Sequence, residues 1–186
     1  VSNKDNYLVI DLEMTCEENT PKGYVPEIIQ IGIVELNAQG SLVSEKMLFV
    51  KPTINQVSAF CTKLTGVTPK QVKSASPLVM VMNTLVKYGI KNKKLVFWGV
   101  DNLQFQNECE LKGIDVPIST SIINLSLVHS ALMGTNQKIK LNDALKQWGI
   151  TPEGKAHDAL VDAKNTAKLF TKLIGVANNI NKQQSE

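Results

Sequence analysis

Glu27 to Leu36, EIIQIGIVEL, is the stretch that most narrows what this chain can fold into. A run this long, dominated by Ile and Val and without charge between its two glutamates, reads as the central strand of a sheet. A four-residue turn, Asn37 to Gly40 (NAQG), leads into Leu42 to Val50, so the two runs form a hairpin. Tyr7 to Glu13, YLVIDLE, precedes them as another strand. Together the three predict an antiparallel meander.

The remaining pattern alternates. The spacing predicts helices over Ser58–Leu64, Ser76–Tyr88 with Pro77 in the first turn, Asp101 to Gly113, Ser126–Met133, Leu141–Trp148 and about Asp158–Ile174. Leu95 to Trp98 and Ser121 to Leu125 read as two further, short strands. This order predicts one α/β domain around a mixed sheet, spanning 1–177, with 178–186 as a polar, frayed tail. A chain of 186 residues with 43% apolar and 20% charged residues suits that size and excludes a disordered chain. No apolar run reaches the length of a membrane span, and VSNKDNY lacks the layout of a signal peptide. Cys16, Cys61 and Cys109 have no zinc-ligand spacing, which points to free thiols in a reducing cytoplasm.

Asp11 and Glu13 stand one residue apart at the end of a strand, so both project to one face, about 7 Å from each other. Either the strand end reaches solvent there, or a divalent cation relieves the repulsion. Asp101 follows the strand ending at Trp98, either as a helix cap or as a ligand at a strand end. Trp98 itself reads as core or sheet edge rather than a platform for a base. Asp162 flanks the stripe Ala159, Ala163, Ala167, Phe170 and Ile174 with no lysine placed to pair with it, so it is a ligand or a hydrogen-bonded structural acid. His157, one of two histidines, precedes that helix and either closes the loop or takes a proton from water. The other, His129, reads as a surface or core-edge residue. Asp158 is suited to the helix N-terminus.

In order, IDLEMTCEE, EIIQIGIVEL, INQVSAFCTKLTGVT, WGVDNLQFQNEC and GKAHDALVDAKNTAKL resemble the DEDDh 3′–5′ exonucleases. The likeness is greatest to the branch of KapD-like bacterial proteins and the histone-mRNA and RNAi-linked exoribonucleases, and it covers about Tyr7 to Ile174. The resemblance implies an RNase H-like fold, a five-stranded mixed sheet flanked by helices. It implies that Asp11, Glu13, Asp101 and Asp162 bind two Mg²⁺ or Mn²⁺ ions, and that His157, five residues before Asp162, is the general base. Met14, Thr15 and Glu27 would lie beside the terminal nucleotide.

The expected reaction is hydrolysis of RNA or single-stranded DNA from the 3′ end to nucleoside 5′-monophosphates, with RNA favoured. A proofreading or repair DNA exonuclease, or a binding module without activity, are the alternatives. All 20 basic residues are Lys, so arginine-based readout of bases is absent. Candidates to hold the nucleic-acid backbone are Lys91, Lys93, Lys94, Lys138, Lys140 and Lys155. No sequence is left outside the core for an accessory domain, so the expected substrate is a short single-stranded end.

Overall fold

Ile28–Leu36 forms strand β2, and all nine of its residues are buried. A strand covered on both faces needs neighbours on both edges and helices above and below. In this computed structural model, which describes residues 5–115 and 118–183, β2 pairs antiparallel with β1 (Tyr7–Met14) and with β3 (Leu42–Lys51). β1 pairs parallel with β5 (Lys94–Phe97), and β5 pairs parallel with β6 (Ile122–Asn124). The meander and the two further strands are therefore as expected.

A sixth strand, β4 (Ser76–Pro77), lies parallel to the end of β3, completing the order β4-β3-β2-β1-β5-β6. Pairing with Val50 and Lys51 draws Ser76 and Pro77 out of the helix expected to start at Ser76. Helix α3 (Leu78–Tyr88) starts after Pro77, which stands at its N-cap rather than inside its first turn. The other helices are α1 (Ala59–Thr65), α2 (Pro69–Lys73), α4 (Asp101–Leu111), α5 (Leu125–Leu132), α6 (Leu141–Gln147) and α7 (Ala159–Gln183). α7 outlasts the expected end at Ile174, because Gly175 weakens a helix without breaking it. The tail is thus helical in its backbone as far as Gln183, and 184–186 lie outside the described residues.

Alternation along β1 divides the core. Leu8, Ile10 and Leu12 pack with Ile31 and Ile33 of β2 against α3 and α4, where Leu85 and Phe105 are fully enclosed. Val9 and Val34 face the other way, against α5, α6 and α7. His129 of α5 is fully buried rather than at the surface, in contact with Trp98. All three cysteines are free thiols. Among the described residues no helix is long and apolar enough to cross a membrane.

Candidate active site

Because Asp11 and Glu13 alternate with Leu12, they share the face of Val9 and point toward the start of α7. Pairing runs Asp11 to Gly32 and Glu13 to Gln30, and a bulge between Glu13 and Met14 shifts the register before the last pair, Met14 to Ile28. The close approach of α7 to β2 explains the glycine. A Cβ on Gly32 would stand 2.0 Å from the Ala159 carbonyl oxygen, so no larger residue fits. The Gln30 side-chain oxygen accepts the Ala159 N–H at 3.1 Å and pins the helix start beside the two acids.

The segment before α7 is equally determined. Asp158 accepts the N–H groups of Leu160 and Val161 at 3.0 and 3.2 Å, the capping role expected of it. His157 adopts φ 66°, a left-handed conformation rare outside glycine, and donates its N–H to Asp162 Oδ2 at 2.8 Å. One ligand-capable atom from each of Glu13, His157 and Asp162 lies within 4.8 Å of the other two. Asp101 is the first residue of α4, after a turn in which Gly99 has φ 103°. The cap position belongs to Val100, so the carboxyl of Asp101 is free to face the cleft. All five motif residues line one cleft of about 990 Å³.

Electrostatically the cleft floor lacks a counter-ion. Among the described residues, no ion pair involves Asp11, Glu13, Asp101 or Asp162. Asp11 keeps some surface on the cleft, yet burial and then Asp101, Asp162 and Glu13 push its pKa well above the usual carboxylate range. Burial, followed by Asp162 and Asp101, raises Glu13 to about 8. Burial raises Asp101 to about 6 against the opposing Leu12 amide, and raises Asp162 against the His157 N–H. Four shielded carboxylates held together without a cation are costly unless one is supplied. Their all-oxygen donor set suits a hard divalent ion such as Mg²⁺ or Mn²⁺.

Comparison with known proteins decides the family, since residues 8–170 match the exonuclease family. The chain belongs to the exonuclease family. Human 3′-5′ exoribonuclease 1 (Homo sapiens) is 30% identical over 183 residues, covering 91% of this chain and 52% of that protein. The chain thus spans about half the length of the curated relatives it matches. Among solved structures, the nuclease domain of 3′hExo, a DEDDh family member bound to rAMP, superposes with a TM-score of 0.84 at 28% identity, covering 92% of each chain. A 3′-exonuclease that recognises the histone mRNA stem-loop 3′ end gives 0.83 at 27% identity, over 91% of this chain and 63% of that one. The resemblance carried by the five motifs therefore holds.

Within this exonuclease fold, Met14 and Thr15 line the cleft. Thr15 is also structural, since its hydroxyl accepts the Glu27 N–H at 2.9 Å. Glu27 does not reach the cleft. It is fully buried, and its carboxylate accepts the N–H groups of Thr53, Ile54 and Asn55, the Thr53 hydroxyl and the Lys112 ammonium. An acid so saturated has no oxygen left for a nucleotide, so the expected role beside the substrate is replaced by that of a loop anchor. Lys93 and Lys94 are also reassigned. Lys93 is buried against Glu35 and Lys94 stands over the Tyr7 ring, both where β5 begins, at the opposite end of the strand from Asp101. Lys140 does line the cleft, and Lys155 Nζ is held by the Lys63 carbonyl at 3.1 Å. Gly32 and Gln30 went unnoticed as site-building residues, although a glycine inside an Ile-rich strand signals close backbone approach.

Proposed function

We propose that this domain is a metal-dependent 3′–5′ exonuclease that removes nucleoside 5′-monophosphates from single-stranded 3′ ends, with RNA favoured over DNA. The observation that carries the proposal is the convergence of Asp11, Glu13, Asp101 and Asp162, unpaired, with His157 on one cleft. A pair of Mg²⁺ or Mn²⁺ ions held by these carboxylates would polarise the scissile phosphate and acidify the attacking water. His157 is the general base: a ring nitrogen accepts the water proton, while the bond from its backbone N–H to Asp162 keeps the residue in position. Met14 and Thr15 form the wall against which the terminal nucleotide rests. The exoribonuclease relative and the rAMP-bound neighbour support RNA as the substrate. The three free thiols support a reducing, cytoplasmic setting.

Matched 5′-labelled RNA and DNA oligonucleotides incubated with Mg²⁺ provide the test. A ladder shortening from the 3′ end, with mononucleotide product and faster loss of RNA, is expected. Asp11→Ala and Asp162→Ala should abolish it in folded protein, and activity retained in either would refute the site. His157→Ala should lower the rate by roughly 10²–10⁴ while Mg²⁺ still binds; loss of Mg²⁺ binding would make His157 a ligand instead.

A further inference from the structure

One wall of the cleft has no part in holding metal. Trp98 stands between β5 and the Gly99 turn that delivers Asp101. Its half-buried indole packs with the α5–α7 side of the core and also lines the cleft. His129 meets that indole edge-on, with ring centroids 5.8 Å apart and planes at 63°. The imidazole is fully buried and neither of its nitrogens has a hydrogen-bond partner among the described residues. A polar ring left unsatisfied in a core is costly filler. Its visible contribution is to hold the tryptophan in a fixed pose.

Lys140 and Lys146 line the same cleft, on α6 and its N-cap, whose Leu141, Ala144 and Leu145 share the core cluster that Trp98 packs against. Lys140 is exposed and has no carboxylate partner among the described residues. Lys146 Nζ is 3.6 Å from Asp143 Oδ1, a long pair with both side chains mostly exposed, which contributes little and leaves the ammonium available. An aromatic face flanked by ammonium groups is how single strands are gripped without regard to sequence, by base stacking and phosphate contact together. Resting on the exonuclease reading, we propose that Trp98, Lys140 and Lys146 form a second nucleotide subsite. Trp98 stacks on the base of a nucleotide upstream of the terminal one, and the two lysines hold the adjoining phosphates. The occupant is a single strand with at least one unpaired nucleotide behind its 3′ end.

The chain has two tryptophans. The indole N–H of Trp148 is buried without a partner among the described residues, so Trp148→Phe breaks no hydrogen bond there and leaves Trp98 as the only indole emitter. In that background, with Mg²⁺, a tetranucleotide with phosphorothioate linkages should quench the emission, and a 5′-mononucleotide should do so far less. Trp98→Leu should weaken tetranucleotide binding about 5- to 150-fold, the range of one stacked base. Mononucleotide binding should fall much less, and Trp98→Phe should recover most of the loss. The double variant Lys140→Gln, Lys146→Gln should reduce the slope of log affinity against log salt by about 1.4, or 0.7 for each phosphate. Equal quenching by both ligands, an equal loss for both, or an unchanged salt slope would overturn the subsite. Product formed from an ordinary oligonucleotide while Trp98 stays silent rejects the subsite alone. Quenching without product rejects the exonuclease reading and leaves the subsite standing.

Discussion

Two clusters of acids are withdrawn from water in this molecule, and they are treated in opposite ways. At the start of β2, burial alone would raise Glu27, but Lys112 and three backbone amides outweigh it and hold the acid at about 2. Glu108 of α4 shares that lysine and accepts the Ile28 N–H, and burial leaves it raised in spite of both. At the end of β1, burial and neighbouring acids outweigh what opposes them at Asp11, Glu13, Asp101 and Asp162: Lys155 near Glu13, the Leu12 amide at Asp101, and the His157 N–H and ring at Asp162. The first cluster is complete as it stands: every lone pair it needs is filled by the chain that folded around it. The second is incomplete without a cation. A buried acid that the fold saturates reports on architecture, and one that the fold leaves bare reports on chemistry.

Exchanging acids for neutral residues should separate the two clusters most sharply. Glu27→Ala should lower unfolding free energy by about 3–5 kcal/mol, because three loop amides and Lys112 lose their acceptor together. Glu13→Gln should instead raise the stability of the metal-free protein at pH 8 and remove the Mg²⁺-dependent rise in melting temperature. Urea titrations of both variants measure this. A tolerated Glu27→Ala, or a destabilising Glu13→Gln, would erase the distinction.

The same contrast explains what could be read in the sequence. Asp11 and Glu13 were legible because alternation along a strand is a local rule, and Asp162 because its position beside an alanine stripe is set by helical spacing. Glu27 was misread because its partners come from far along the chain: Thr53 to Asn55 lie 26 to 28 residues away and Lys112 lies 85 away. Without those partners an acid before a strand resembles any acid at a surface. β4 escaped because two residues carry no periodicity. The left-handed backbone of His157 has only a weak sequence signal, since few residues other than glycine adopt it even though histidine does so more often than most.

Backbone approach distinguishes the clusters as well. The Glu27 network is built from side chains that can adjust, whereas α7 meets β2 through bare backbone at Gly32. Gly32→Ala should therefore cost about 3 kcal/mol, at the upper end for overpacking. It should also lower turnover about 10²-fold by displacing His157 and Asp162 from Glu13. Thermal melts and initial rates check the two effects separately. A variant with normal turnover would show that the spacing of the site does not depend on this contact.

Acidity provides a milder discriminator. Glu13 ionises near 8 in the fold and at ordinary values when unfolded, so between roughly pH 5 and 8 the folded protein binds the extra proton. Metal-free stability should then fall as pH rises through that window, by up to about 1.4 kcal/mol per pH unit for this one group, and level off above it. Because metal binding requires the ionised form, the stabilisation by Mg²⁺ should grow over the same range. Glu27, held at about 2, contributes in the reverse sense: its stabilisation is present above the ordinary carboxylate range and is lost only as pH falls toward 2. Melting curves from pH 5 to 8 with EDTA and with Mg²⁺ would reveal a pH-independent gap if the bare cluster were not the binding site.

The smallest expected effect tests the hydrogen bond by which β2 positions the start of α7. Gln30 accepts from Ala159 at the first turn of α7 and pairs across the ladder with Glu13, so a single residue joins the strand bearing Glu13 to the helix bearing Asp162. Gln30→Leu keeps the bulk and leaves a buried N–H without an acceptor, which should cost about 1 kcal/mol. If the bond only stabilises, kcat and the midpoint of Mg²⁺ activation stay as they were. If it sets the distance between Glu13 and Asp162, that midpoint shifts to higher Mg²⁺ while the effect on melting stays small. The second outcome is expected here, because helix and strand already meet at Gly32 and the glutamine is left to fix where along that contact the helix begins.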